Sequence, residues 1–322
     1  MGDVVPFVIA AAISLVLTPA AIALGVRLGL IDRPGELKIH ERPVPVTGGA
    51  AVAVAASVAL AVSGALDPWL LVALAIALVL GSVDDLRSIS PALRLAGQSA
   101  VGMALVLAGF RFGPLGFLAA PALVLVVVAT CNAVNVVDGQ DGLAGGVAVL
   151  SALGLAAVLA REELSVTVPI VCAGAVAGFL VWNRPPARVF LGDGGAYVIA
   201  VLLSAGVGQA STVGWHGVLA AGACLGVFAY ELLSSMARRL ASRGPAMLGD
   251  RDHSYDRLAR VLGSRAISTG VMLAVAGVAA AIGWAIAGLT AAPGFLLVLA
   301  VTAVAVTVDV TVLANHGVRR RA

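Results

Sequence analysis

Four polar side chains recur at three-residue intervals in one short stretch: Asn132, Asn135, Asp138 and Asp141, with glycines 139, 142, 145 and 146 among them. That spacing keeps polar groups near one another on a helix or tight turn. Glycine permits close backbone approach and unusual dihedrals. A second feature is the bare pair Asp84-Asp85. Two adjacent carboxylates repel unless a cation or a proton is shared. Acids, amides and glycines facing a basic surface suit Mg²⁺ and phosphate, because hard cations take oxygen ligands. The pattern does not suggest a zinc site: the four histidines are far apart, and Cys131, Cys172 and Cys224 all lie in apolar segments.

The elements that must position these groups are membrane helices. The chain has 322 residues, of which 61% are hydrophobic and 11% charged, and its mean hydropathy is +1.06. A soluble domain carries roughly a quarter charged residues, so a water-soluble globule, a disordered chain and a disulfide-stapled module are excluded. A spanning helix needs about 20 apolar residues. Apolar runs occur at Val4–Val26, Ala50–Leu66, Trp69–Val83, Leu95–Phe110, Phe117–Cys131, Gly142–Ala160, Leu164–Trp182, Gly194–Ala210, Trp215–Leu233, Ala266–Ile286 and Gly294–Leu313. Asp67-Pro68 is the turn signal between the second and third. The first run lacks the basic leader of a signal peptide and reads as a retained helix.

With the N-terminus outside, 18 of the 20 cations fall on inside segments, leaving only Arg111 and Arg161 outside. Basic residues collect on the cytoplasmic side. The fold class is therefore all-α: a polytopic membrane protein of eleven transmembrane helices, N-terminus outside and C-terminus, with Arg319–Arg321, cytoplasmic. One domain covers 1–322, with the active site on inside loops 27–49, 84–94, 132–146, 183–195 and 237–265. The net charge of +3 reflects this bias and implies no nucleic-acid partner. The acids gather on the same inside face. Glu231 and Asp309 lie in or beside apolar runs, where acids are functional by default.

These residues carry a resemblance. Asn132–Gly146, NAVNVVDGQDGLAGG, resembles the NxxNxxDGxDGLAxG signature of the polyprenyl-phosphate N-acetylhexosamine-1-phosphate transferases, bacterial glycosyltransferase family 4. Asp32–His40, DRPGELKIH, resembles D-x-P-x-x-R-K-x-H. Gly81–Leu86, GSVDDL, resembles the family's aspartate pair, and Asn183–Gly195, NRPPARVFLGDGG, resembles N-x-x-P-A-x-x-F-x-G-D-x-G. The fifth block departs. D-R-x-H-x-H-H-R-L in the GlcNAc branch stands here as Asp250-Arg251-Asp252-His253-Ser254-Tyr255-Asp256-Arg257-Leu258. In the first block Leu37 replaces an arginine.

The resemblance implies transfer of sugar-1-phosphate from a UDP-N-acetylhexosamine, UDP-GlcNAc in that branch, to undecaprenyl or decaprenyl phosphate with release of UMP. This is the first membrane step of a cell-envelope glycan, at the cytoplasmic face of a bacterial inner membrane. It implies Mg²⁺, with Mn²⁺ as a substitute, held by Asp193 and Asn135. Asp84 and Asp85 would take the lipid phosphate's proton or tune the metal. Asp138, Asp141 and Gly139 would hold the nucleoside, Phe190 would stack on uracil, and Asn183 would position the donor. His253 would meet a phosphate or the sugar. Lys38, His40 and Arg42 would add positive charge, and Asn132 and Arg251 complete the substrate-binding set. A homodimer is also implied. Tyr255 and Asp256, which carry the departure, are expected either to set donor preference or to cap and pack the loop.

Other functions fit less well. A transporter would place its acids at the midplane. A CDP-alcohol transferase needs an arginine after Asp-Gly that is absent here, and aromatic prenyltransferases need aspartates four apart. Within the family, the phospho-MurNAc-pentapeptide transferase has a triple histidine where His253-Ser254-Tyr255 stands.

Overall fold

The computed structural model describes residues 4–34, 42–242 and 252–308. Lys38, His40, Arg251, Asp309 and the Arg319–Arg321 tail lie outside the described residues. The first helix, α1 (Val4–Leu28), leads into a two-residue strand β1 (Ile31–Asp32), which pairs antiparallel with β2 (Val44–Pro45), Ile31 opposite Pro45 and Asp32 opposite Val44. The rest is helical: α2 (Gly48–Val62), α3 (Pro68–Leu86), α4 (Pro91–Leu107), a 3₁₀ segment (Gly113–Leu118), α5 (Ala119–Val137), α6 (Leu143–Arg161), α7 (Thr167–Asn183) and α8 (Gly192–Ser211). Then come α9 (Trp215–Cys224), α10 (Gly226–Ser242), α11 (Ser254–Leu262), α12 (Arg265–Ala287) and α13 (Ala291–Val308).

The protein is an all-α polytopic membrane protein. Each apolar run in the sequence coincides with a helix, the ninth with the pair α9–α10. By length and composition six described spans are long enough to cross a membrane, or seven counting α9–α10 as one, whereas the sequence pattern predicts eleven. Three of the apolar helices, α2, α4 and α7, have 15 to 17 residues, at or just below the short end of the range for a crossing. The sequence pattern predicts the ninth run, Trp215–Leu233, as one helix. It bends by 79° between Cys224 and Gly226, and α10 continues to Ser242, well into the expected fifth inside loop. That loop also contains α11.

Helix starts follow local chemistry. Asp67 Oδ1 accepts from the Trp69 N–H at 2.7 Å with Pro68 in the first turn, and Ser90 Oγ accepts from the Leu93 N–H ahead of Pro91. Each satisfies an amide the helix leaves unpaired.

The core is organised around α8, which is apolar on all sides and almost entirely buried, as such a helix must be. It packs against α2, α3, α5 and α6. Close approach depends on glycine. A Cβ at Gly81 of α3 would overlap the backbone of Asp193 and Gly194, and one at Gly49 of α2 would overlap Gly195. The first turn of α8 is thus gripped from both sides. The Gly174/Gly178 pair of α7 does the same against the Phe7 and Ala11 carbonyls of α1, whereas Gly222 faces open space.

Candidate active site

The C-terminal ends of α3, α5 and α7 and the N-terminal ends of α6 and α8 share one end of the bundle. They bring together polar residues far apart in sequence. Asp193 sits in the first turn of α8, one residue inside it rather than before it as the sequence pattern predicts. Its side chain accepts a short hydrogen bond at Oδ1 from the Asn135 amide of α5. Its backbone N–H donates to both oxygens of Asp85, at 3.0 and 3.2 Å. Asp85 therefore caps α8, where the positive end of the helix dipole favours an anion. Gly192 (φ +73°) turns the chain into this cap, and a Cβ there would stand 2.7 Å from Asp85 Oδ2.

The adjacent Asp84 behaves differently. It is buried, its Oδ2 lies 2.6 Å from Arg94 Nε, and its Oδ1 accepts from the Ile89 N–H at 3.1 Å. Successive residues on a helix point about 100° apart, so one aspartate is neutralised by α4 while the other turns to α8. Motif reasoning passed over Arg94; the available signal was an arginine just beyond the Ser90-Pro91 helix start that follows the aspartate pair.

Asp138 ends α5 and faces the same acids. Burial pushes its carboxyl well above the usual carboxylate range, and the charges of Asp193, Asp85 and Asp141 push it further. That concentration of negative charge is the structural argument for a cation. Among the described residues no group of three or more His, Cys, Asp or Glu side chains is arranged to hold a metal. The donors present are carboxylate and amide oxygens around Asp193. Mg²⁺ is typically held by one or two carboxylates and completes its shell with water and substrate phosphate. The donor set fits that ion.

Asp141 and Asn183 join two loops. Asp141 Oδ2 accepts from the Ala187 N–H at 2.9 Å. Buried Asn183 accepts from the Gly142 N–H at 3.0 Å and donates to the Val189 carbonyl at 2.9 Å. Gly142, at φ +73°, opens α6. Phe190 is half-buried, and its backbone bridges the Pro45 carbonyl and the Gly48 N–H. Asn132 lies one turn below Asn135 and donates to Gln98 of α4 and the Val128 carbonyl. Arg42 is exposed just before β2.

The remnant of the fifth block closes the far side. Tyr255 is 3% exposed; its hydroxyl donates to the Val136 carbonyl at 2.9 Å, and it occupies the space a Cβ at Gly139 would need. Its backbone carbonyl accepts from Ser268 Oγ at 2.7 Å and from Gln140 Nε2 at 3.4 Å. Burial raises the phenol further out of reach of ionisation. Tyr255 is thus a packing residue that reaches the site through Gly139. The His253 ring is buried and stacks on Tyr255, centroids 5.2 Å apart. Burial raises the Asp256 carboxyl, against the pull of His253 and a hydrogen bond from Gln140. The structure therefore gathers Asp84, Asp85, Asn135, Asp138 and Asp193 directly. His253 adjoins them through the 138–142 turn.

Known proteins resemble this chain in sequence. The family model for glycosyl transferase family 4 matches residues 68–209, the stretch holding every acid of the central cluster. A Bacillus subtilis protein named probable undecaprenyl-phosphate N-acetylglucosaminyl 1-phosphate transferase is 28% identical over 79% of this chain and 76% of its own. The Thermotoga maritima undecaprenyl-phosphate alpha-N-acetylglucosaminyl 1-phosphate transferase is 32% identical over 79% and 81%. A Thermosynechococcus vestitus phospho-N-acetylmuramoyl-pentapeptide-transferase is 38% identical, over only 43% of this chain and 36% of its own. A relative at that identity, matched along four-fifths of its length and through the whole acid cluster, leaves one assignment: this chain belongs to glycosyl transferase family 4.

Proposed function

We propose that the protein transfers N-acetylglucosamine-1-phosphate from UDP-GlcNAc to undecaprenyl phosphate, releasing UMP. A phosphate oxygen of the lipid attacks the β-phosphorus of the donor. The bond from that phosphorus to the bridging oxygen breaks, and UMP leaves with the electron pair. The carrying observation is the Asp85–Asp193–Asn135–Asp138 cluster at one end of the bundle, in a chain that aligns with two GlcNAc-1-phosphate transferases along most of their length.

Two anions must meet in this reaction. Mg²⁺, when bound, supplies neutralisation of the donor diphosphate and of charge developing at phosphorus. Asp193 and Asn135 would hold it. Asp85 fixes the first turn of α8 and with it Asp193. Asp84 and Asp85 would take the lipid phosphate's proton or tune the metal, and Asp138, at the end of α5 facing Asp193 and Asp85, would help to hold the nucleoside. Asp141 and Asn183 hold the loops that frame the nucleoside, with Phe190 as its stacking face, and His253 meets a phosphate or the sugar.

The membrane placement completes the reading: eleven crossings, N-terminus outside, acid-rich end cytoplasmic, in a bacterial inner membrane. A reporter fused after Ala322 is expected to be active only in the cytoplasm; activity only outside would reverse every loop assignment. The phospho-MurNAc-pentapeptide transfer reading is weaker, because its relatives match 43% to 54% of this chain, against 79% for the two GlcNAc-1-phosphate transferases. The test is UMP release by purified protein with undecaprenyl phosphate and a panel of UDP-sugars. UDP-GlcNAc is expected to be the best donor, and preference for UDP-MurNAc-pentapeptide would overturn the assignment.

A further inference from the structure

Glu231 is fully buried on α10, and one of its oxygens, Oε1, has no hydrogen-bond partner. Burying a carboxylate is costly unless it serves a neighbour. Its other oxygen, Oε2, lies 3.5 Å from His253 Nδ1 and 3.4 Å from the Ser254 N–H, which donates to it. Two contacts thus tie the start of α11 to one carboxylate on α10. A competitor stands beside them. Arg238, two turns on along α10, places Nη2 3.5 Å from the same His253 Nδ1.

An imidazole nitrogen cannot serve both. Glutamate accepts, and asks for a proton on Nδ1. Arginine only donates, and asks for a lone pair there. The nitrogen that carries the proton is set by the bond the other makes. With Glu231 in place, Nδ1–H would donate to Oε2 and Nε2 would keep its lone pair. Without it, Arg238 would donate to Nδ1 and the ring proton would move to Nε2. We propose that Glu231 is a positioning residue, which fixes the tautomer and orientation of His253 against Arg238. This rests on the reading that His253 acts in phosphosugar transfer.

The test uses full-length enzyme and compares Glu231→Leu, Glu231→Gln, His253→Ala and Glu231→Leu/His253→Ala by kcat and KM for UMP release. Glu231→Leu keeps the volume and removes the acceptor; Gln keeps an acceptor oxygen. The expected kcat for Glu231→Leu falls about as far as for His253→Ala, with KM for UDP-GlcNAc within about threefold of wild type. Glu231→Gln is expected to recover at least about tenfold over the Leu variant. The double variant is expected to be no slower than His253→Ala alone, because residues acting as one unit are non-additive. Equal losses for Glu231→Leu in both backgrounds would make the role structural and overturn the proposal. So would full activity of Glu231→Leu beside an impaired His253→Ala. A fully active His253→Ala enzyme would instead remove the histidine from the reaction, so the underlying reading would fail first and the proposal with it. Should Glu231→Leu fail to fold, the same comparison is made with Glu231→Gln, expected between wild type and His253→Ala and silent in the His253→Ala background.

Discussion

The two sides of the site are built differently. On the acid side, α2 and α3 meet the first turn of α8 backbone against backbone. Asp85 accepts the Asp193 backbone amide of α8, and Gly81 and Gly49 let helix backbones touch. On the histidine side, α11 is fixed by side chains: Tyr255 to Val136, Ser268 and Gln140 to the Tyr255 carbonyl, Thr269 to Gln140, and Glu231 to His253. The electrostatics differ as well. Burial and then the neighbouring acids push Asp138 up, whereas at Asp252 burial is outweighed by hydrogen bonds from Arg260 and Arg257, which hold its carboxyl below the usual range. Backbone contact admits no larger residue, while a side-chain network can be rewritten one residue at a time. The family pattern stands intact on the first side and is altered on the second.

The largest break should come from the acid side. Asp193→Asn removes the charge that the proposed cation needs while keeping a similar shape. A loss of about 4 kcal/mol of transition-state stabilisation, roughly a thousandfold in kcat, is expected. Thermal unfolding should stay close to wild type. Excess chelator should silence the wild-type enzyme, and Mg²⁺ or Mn²⁺ should restore it. Full turnover in chelator would end the cation reading.

Gly81→Ala tests whether backbone contact is what holds this side. Its methyl would meet the Asp193–Gly194 backbone, so either α3 or the first turn of α8 must shift. Overpacking of this kind costs about 1–3 kcal/mol of stability. A misplacement of about 1 Å can cost roughly a hundredfold in rate. Both a lower Tm and a slower enzyme are expected; wild-type values for both would show the contact to be slack.

The same contrast explains what could be read from sequence. The acids of Asn132–Gly146 and Asp193 were legible because three-residue spacing and Gly-Asp-Gly turns are local patterns, and the helices because apolar runs announce themselves. The 79° bend after Cys224 was not legible, since Trp215–Leu233 is unbroken in hydropathy. The split between Asp84 and Asp85 depends on Arg94 arriving from another helix. From sequence, Tyr255 in place of a family histidine could either set donor preference or pack the loop. Only the packing against Gly139 shows where its hydroxyl goes.

A smaller effect should appear at Asp138, in stability rather than rate. Its folded-state pKa is raised by burial and by neighbouring acids. A carboxyl raised on folding holds its proton more tightly in the folded state, so ionising it destabilises the fold at pH above the unfolded value of about 3.9. Asp138→Asn should therefore raise Tm at neutral pH in chelator, even as it slows turnover. The gain should fade as pH falls toward that unfolded value. Added Mg²⁺ should stabilise wild type more than the variant, because the cation relieves the same repulsion. A Tm difference independent of both pH and Mg²⁺ would show that Asp138 is not repelled by its neighbours.

The smallest effect is expected from Tyr255→Phe. The phenol donates one hydrogen bond, to the Val136 carbonyl at the last turn of α5, from a site that is nearly closed to solvent. Removing it deletes a bond with a net worth of about 1 kcal/mol, and the ring still fills the space above Gly139. Tm should drop slightly, and kcat should stay within about threefold of wild type. Donor preference should not move, because the hydroxyl faces protein backbone and the site feels it only through the 138–142 turn. A changed ranking of UDP-sugars in Tyr255→Phe would mean that the hydroxyl meets the donor after all. The histidine side would then be a recognition surface and not only a clamp.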